Sequence, residues 1–196
     1  MPALSASGVW FLFSGYAVIV SFFIIQRILR KTESAKSFHG GAYDRGNMLI
    51  VGGATGLGLW IPLIADWIGA GVVQIDLTEG LAALAVMVAG VALRVWAAET
   101  LGRFYTTTLM VTEGHRVVSS GPYGRVRNPG YLGEIVLWSG FGVLSGNLFV
   151  AFLLPVMFVA VYLHRIGAEE AMLEKELGED YARYRRGTRR LIPFIY

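Results

Sequence analysis

The chain has 196 residues, of which 55% are hydrophobic and only 16% charged, with a formal net charge of +3. That balance is too apolar for an ordinary soluble domain and fits a multi-span membrane protein. There is no cysteine, which excludes a disulfide frame and thiolate chemistry. His39, His115 and His164 stand in no metal-ligand spacing, so no metal is expected, nor a nucleic-acid partner.

The spans can be read in chain order. Val9 to Ile25 is uncharged and extends to about Leu29, long enough to cross a bilayer. No basic stretch precedes it, and it is too long for a typical signal peptide, so it reads as the first span, about 9–29. The second span, about 48–68, is rich in glycine (Gly52, Gly53, Gly56, Gly58) that suits close helix packing within or between chains. Pro62 is placed to kink it, and the residues from Asp44 to Asn47 supply its cap. The third span, about 80–100, carries Arg94 near its end, where the side chain is expected to snorkel to the interface. Phe104 to His115 is rich in Thr, Tyr and Val and holds the turn Glu113-Gly114. It reads as an extended hairpin whose return arm runs from His115 to Gly121.

From Ile135 to Leu163 there are 29 residues without a charge. One straight helix of that length would be about 43 Å long, against a hydrocarbon core of roughly 30 Å. Ser145-Gly146-Asn147 is a turn signal in its middle, so two short helices, about 130–145 and 147–164, are expected. The predicted fold is an all-α integral membrane protein, a single domain over 1–196 with about five transmembrane helices. A cytoplasmic helix and tail, 165–196, complete it. A cofactor pocket is expected between the loop before span 4 and the C-terminal helix.

Charge supports this count. Arg27, Arg30, Lys31, Lys36 and Arg45 follow span one, and Arg103, Arg116, Arg125 and Arg127 follow span three. Arg165, Lys175, Arg183, Arg185, Arg186, Arg189 and Arg190 follow the last span. The connection after span two carries Asp66, Asp76 and Glu79 instead. The positive-inside rule then puts the N-terminus outside and the C-terminus in the cytoplasm, a parity that five spans satisfy and four do not.

The richest stretch is Gly121-Pro-Tyr-Gly-Arg-Val-Arg-Asn-Pro-Gly-Tyr-Leu-Gly133. Gly121 suits a turn of positive φ. Asn128-Pro129 reads as a helix start, with Asn128 as N-cap and Pro129 at the first helical position. The free N–H groups there would form an anion site beside Arg125 and Arg127. A basic loop with a good helix cap explains the same residues. Beyond the last span, Leu173, Leu177, Tyr181 and Tyr184 recur at helical spacing, marking an amphipathic helix. Arg165 and Glu169 share one of its faces at i,i+4, either as part of a site or as a surface ion pair.

Taken in order, four pieces resemble the isoprenylcysteine carboxyl methyltransferases. They are His115-Arg-Val-Val-Ser-Ser-Gly-Pro-Tyr123, Arg127-Asn-Pro-Gly-Tyr131, Arg165-x-x-x-Glu169-Glu170-x-x-Leu173 and Gly178-x-x-Tyr181-x-x-Tyr184. More broadly they are similar to the membrane methyltransferases that include phospholipid N-methyltransferases. The resemblance spans about residues 95–196. It implies S-adenosyl-L-methionine as cofactor, held by His115, Arg116, Val117, Val118, Tyr123, Arg127, Asn128, Pro129, Tyr131 and Glu169. It places Arg165 on the substrate carboxylate, with Glu170 beside it as a catalytic residue. The acceptor it implies is lipid-like or prenylated and embedded in the membrane, with O-methylation of a carboxylate such as that of prenylcysteine. A prokaryotic cell membrane is the expected setting. Asn128 stands where the family has His, so acid–base chemistry is not available there.

Three other readings fit parts of the chain. A phospholipid amine N-methyltransferase would use the same cofactor residues. Tyr131-Leu-Gly-Glu134-Ile-x-x-Trp138-x-Gly140, with the ending Leu191-Ile-Pro-Phe-Ile-Tyr196, is similar to membrane steroid 5α-reductases, which use NADPH. A non-catalytic membrane scaffold would bind neither nucleotide.

Overall fold

The computed structural model describes residues 6–29, 46–105 and 116–192. It is helical: α1 (Ala6–Leu29), α2 (Asn47–Ile68), α3 (Leu77–Leu101), α4 (Pro129–Leu144) and α5 (Leu148–Gly187), with short 3₁₀ turns at Gly102–Phe104 and Gly121–Gly124. No strand occurs among the described residues, where only isolated bridges pair Val72 with Asn147 and Val126 with Arg189. The expected hairpin arm at 116–119 has no regular structure, and 106–115 lies outside the described residues.

Four helices (α1, α2, α3 and α5) are long and apolar enough to cross a membrane. The fifth, α4, has 16 residues and a length of about 24 Å, short for a lone span. Its surroundings are protein rather than lipid, since it packs on α3, α5 and α1. Trp10, Trp60, Trp67 and Phe152 point outward, as expected where the solvent is hydrocarbon.

The helix pair α4–α5 forms as the turn signal predicted. Ser145 Oγ donates to the Gly142 carbonyl, and Asn147 caps α5 by accepting from the Phe149 and Val150 amides. A second cap went unread: Asp76 and Glu79 form a reciprocal capping box at the start of α3, the Asp-x-x-Glu variant of a known signature. Of the cap expected from Asp44 to Asn47, residues 44 and 45 lie outside the described residues. Gly46, at φ 83°, occupies the N-cap of α2, and no side chain bonds there. Asn47 instead lies inside the first turn.

The tightest contact is α3 against α4. A Cβ at Gly90 would lie 2.5 Å from the Gly133 carbonyl oxygen, and one at Gly133 would lie 2.6 Å from that of Gly90. Only glycine lets the two backbones meet there. In α2, Gly58 packs on Trp138 and Phe158 within the chain, while Gly52, Gly53 and Gly56 have open space before them. An aromatic ladder runs through the core toward the N-terminal end of α4. Trp138 stacks on Phe158 at 4.4 Å, and Tyr131 stacks on Tyr162 at 5.0 Å. Leu137, Phe141, Leu154 and Ile166 around it are fully buried.

Candidate active site

A cavity of about 320 Å³ lies where α3, α4 and α5 meet the 116–128 loop, and α1 and α2 complete its wall. Its volume is at the lower end of the range for small-molecule sites. Arg116, Val117, Val118, Tyr123, Arg127, Asn128, Tyr131, Arg165 and Glu169 all line it. Leu173, Leu177, Tyr181 and Tyr184, on the amphipathic face of the C-terminal helix that was expected to bound the pocket, also line it. Gly178, at φ 55°, breaks the helical path within α5, so the last two turns fold back over the cavity. Gly121, at φ 56°, turns the loop before the site, as its residue type predicted.

Two Arg–Tyr–Glu clusters stand side by side. In one, Arg165 Nε donates to the Tyr131 hydroxyl at 2.8 Å, and that hydroxyl donates to Glu169 Oε2 at 2.5 Å. In the other, the Tyr162 hydroxyl donates to Glu134, and Arg94 Nε lies 3.1 Å from Glu134 Oε1. The stacked rings of Tyr131 and Tyr162 join the clusters. Burial pushes the phenols of Tyr123 and Tyr184 upward, so both remain neutral donors at ordinary pH. Tyr184 donates to the Tyr123 carbonyl at 2.8 Å.

Arg94 corrects the expectation of a snorkelling side chain. Its side chain is only 12% exposed. Nη2 donates to Tyr105 at 3.0 Å, and the guanidinium lies over the rings of Tyr105 and Tyr131. Gly130 makes room for it, because a Cβ there would meet Nη1 at 2.5 Å. Glu134, a turn further along α4, supplies the counter-charge that sequence alone could not pair across helices. Arg94, Glu134, Tyr105, Tyr162 and Gln26 are among the site residues that sequence reading missed. An uncompensated charge inside a predicted span was the signal for the first two.

Other predicted residues are placed differently. Asn128 does not cap α4 with its side chain; its amide donates to the Arg190 carbonyl at 2.8 Å. Arg125 is exposed and outside the cavity lining, so the expected anion site is not flanked by it. Arg127 Nε donates to Glu170 Oε1 at 2.8 Å, and Nη1 donates to the carbonyls of Arg185 and Thr188. Glu170, expected beside Arg165, is buried away from the cavity lining and also accepts from Arg190 Nε and Nη2. The Arg127 amide donates to the Arg189 carbonyl, and the Arg189 amide to that of Arg125. These bonds form a clasp that ties 185–190 to the loop. Pro129 sits buried at the first position of α4 without lining the cavity. His115 lies outside the described residues.

A sequence model of the isoprenylcysteine carboxyl methyltransferase (ICMT) family matches residues 83–175. A protein-S-isoprenylcysteine O-methyltransferase of Schizosaccharomyces pombe is 29% identical over an alignment of 109 residues that covers 48% of this chain and 46% of that protein. Protein-S-isoprenylcysteine O-methyltransferase B of Arabidopsis thaliana is 29% identical over 114 residues, 57% of this chain and 58% of that one. The matches thus span about half the length of these curated relatives. A Delta(14)-sterol reductase of Mus musculus is 29% identical over 94 residues but is covered over only 22% of its length. Among solved structures, that of the eukaryotic intramembrane Ras methyltransferase ICMT superposes with a TM-score of 0.62 at 24% identity. That superposition covers 94% of this chain and 67% of that one, and at this identity it speaks for the fold. By sequence through residues 83–175, and by fold along nearly its whole length, this chain is similar to the isoprenylcysteine carboxyl methyltransferase family, as the ordered motifs around its cavity had indicated.

Proposed function

We propose that this protein is a membrane methyltransferase that carries a methyl group from S-adenosyl-L-methionine to the carboxylate of a lipid-like acceptor of the prenylcysteine type. The observation that carries the reading is a single cavity with two kinds of wall. One end is polar and built from the 116–128 loop, Tyr131, Glu169 and the C-terminal helix. The other is apolar and built from Phe22 and Phe23 of α1 and Met48, Val51 and Gly52 of α2. α1 packs chiefly on α3 and α4, and α2 on α5, so the acceptor's chain enters from the bilayer between α1 and α2. The names of the curated relatives support the same chemistry.

The residues present fit the cofactor. Glu169 accepts hydrogen bonds from its hydroxyl or amino groups. The N-terminus of α4, free of any side-chain cap, suits its carboxylate. The face of Leu173 and Leu177 covers its apolar surface, and Arg116, Val117, Val118, Tyr123 and Asn128 complete the cradle. When bound, it supplies a sulfonium methyl group and leaves as a neutral thioether. The chain's own contribution is alignment and exclusion of water. A carboxylate is already ionised at neutral pH, so no base is needed; Arg165, set by Tyr131, orients it. The C-terminal helix closes the cavity against the cytoplasm. The N-terminus is read as outside and the C-terminus as cytoplasmic.

Calorimetry on detergent-purified protein tests this. S-adenosylhomocysteine is expected to bind the wild type, and Glu169→Ala to weaken that binding by about tenfold, as for loss of a charged hydrogen-bond partner. NADPH binding without S-adenosylhomocysteine binding would overturn the reading in favour of a reductase, which the mouse sterol reductase match makes the rival to exclude. Turnover of phosphatidylethanolamine, with prenylcysteine left untouched, would assign an amine acceptor instead.

A further inference from the structure

Gln26 lies near the cytoplasmic end of α1, outside the segment that matches the family. Its side chain is buried, with 6% of the residue exposed, yet it lines the cavity. Its orientation follows from its neighbours. Arg94 Nη2 donates to the Tyr105 oxygen, so the Tyr105 proton must go to another acceptor. It goes to Gln26 Oε1. This fixes the carboxamide and turns Nε2 to the other side, where it has no partner among the described residues. Arg94 Nε is also without a hydrogen bond there: it lies near Glu134 but is not aligned to donate.

Two buried donors, coupled through one phenol, thus stand on the wall of one cavity. Buried donors nearly always find acceptors, and Gln26 Nε2 lies on the cavity wall, where a ligand would bring one. The free carboxamide N–H of Gln26 takes an oxygen with lone pairs and not an ammonium, while the nearby Glu134 carboxylate is already held by Tyr162 and neutralised by Arg94. The wall beside Gln26 is apolar, formed by Phe22, Phe23 and Val51, which suits the hydrocarbon part of the same molecule.

We propose that Gln26 is an acceptor-binding residue whose carboxamide N–H donates to an anionic oxygen of the methyl acceptor, so that α1 contributes to substrate selection. The inference rests on the methyltransferase reading of the cavity. The oxyanion is either the carboxylate of a prenylcysteine or the phosphate of a phospholipid.

The test uses Gln26→Glu in the full-length protein reconstituted in nanodiscs. This change is isosteric and keeps an acceptor for Tyr105, but it replaces the donor with a negatively charged oxygen. Steady-state methylation is measured with a prenylcysteine carboxylate and with phosphatidylethanolamine. The KM of the acceptor used is expected to rise by about tenfold or more. S-adenosylhomocysteine affinity and the thermal midpoint should stay at wild-type values. The acceptor that shows the rise identifies the source of the oxyanion. An unchanged KM overturns the proposal, as does a parallel loss of S-adenosylhomocysteine affinity, which would put Gln26 at the cofactor end. If the wild type turns over neither acceptor, equilibrium binding of both is compared between wild type and Gln26→Glu, with and without S-adenosylhomocysteine. Binding lost only in the variant then supports Gln26 while the reaction reading fails. Equal binding, or none to either protein, overturns Gln26.

Discussion

Arg94 and Glu134 show how a charged pair is tolerated inside the membrane domain. The desolvation of a buried pair is offset only when geometry and extra hydrogen bonds are good. Here Tyr162 donates to the carboxylate, Tyr105 accepts from the guanidinium, and two aromatic faces receive the cation. Removing one partner leaves the other charge uncompensated. Glu134→Ala is therefore expected to destabilise the protein by about 3–5 kcal/mol, seen as a large drop in thermal midpoint in detergent. Arg94→Met combined with Glu134→Leu removes both charges together and is expected to lie closer to wild type. A single variant as stable as the double one would show that the pair is not structurally coupled.

At the level of helices, α5 does two jobs with one run of backbone. Its first part is a span whose Phe158 and Tyr162 stack into the core ladder. Its last part, redirected at Gly178, covers the cavity and ends in the clasp. Glu170 is the centre of that clasp, because both Arg127 and Arg190 depend on its carboxylate. It is better understood as a positioning residue than as a participant at the reacting centre. Glu170→Gln is expected to loosen 185–192, so trypsin should cut at Arg185, Arg186, Arg189 or Arg190 faster than in wild type. Affinity for S-adenosylhomocysteine should fall by about tenfold, with little change in the rate at saturation. A fall in that rate with affinity and proteolysis unchanged would return Glu170 to catalysis.

For the molecule as a whole, orientation in the membrane decides which side the cofactor enters. Trp10 near the start of α1 and Trp67 near the end of α2 are both exposed, consistent with an interfacial belt on one side. The basic residues lie toward the other. With no cysteine in the chain, labelling needs no background removal. Gln74→Cys and Lys175→Cys, both at exposed positions, are expected to react from opposite sides of intact cells or oriented vesicles. A membrane-impermeant maleimide added outside should label the first and spare the second. Labelling of Lys175→Cys from outside would invert the topology and move the cavity mouth away from the cytoplasm.

The helices, the α4–α5 turn, the glycine turn at 121 and the similarity of residues 83–175 to a methyltransferase family were legible from the chain alone. They depend on local quantities: apolar run length against bilayer thickness, backbone preferences of Gly, Asn and Pro, and ordered motifs. The cavity residues of the 116–131 segment and of α5 from Arg165 on were legible for the same reason, since they fall within those motifs, whereas those of α1, α2 and α3 were not. The charge pairings were not. Arg94 was read as snorkelling because its counter-charge, Glu134, lies 40 positions away on another helix, where Gly90, Gly130 and Gly133 bring the backbones close. Glu170 was assigned to the site because its motif neighbours belong there, and Asn128, which does line the cavity, was misread only as the cap of α4. Adjacent residues on a helix point about 100° apart, so Glu169 faces the cavity while Glu170 faces the clasp. Gln26 carried no signal at all, and it became a candidate only when the fold set α1 against Tyr105. Local chemistry specifies elements and turns, but which polar groups meet, and which buried donor is left without an acceptor, is decided by helix packing.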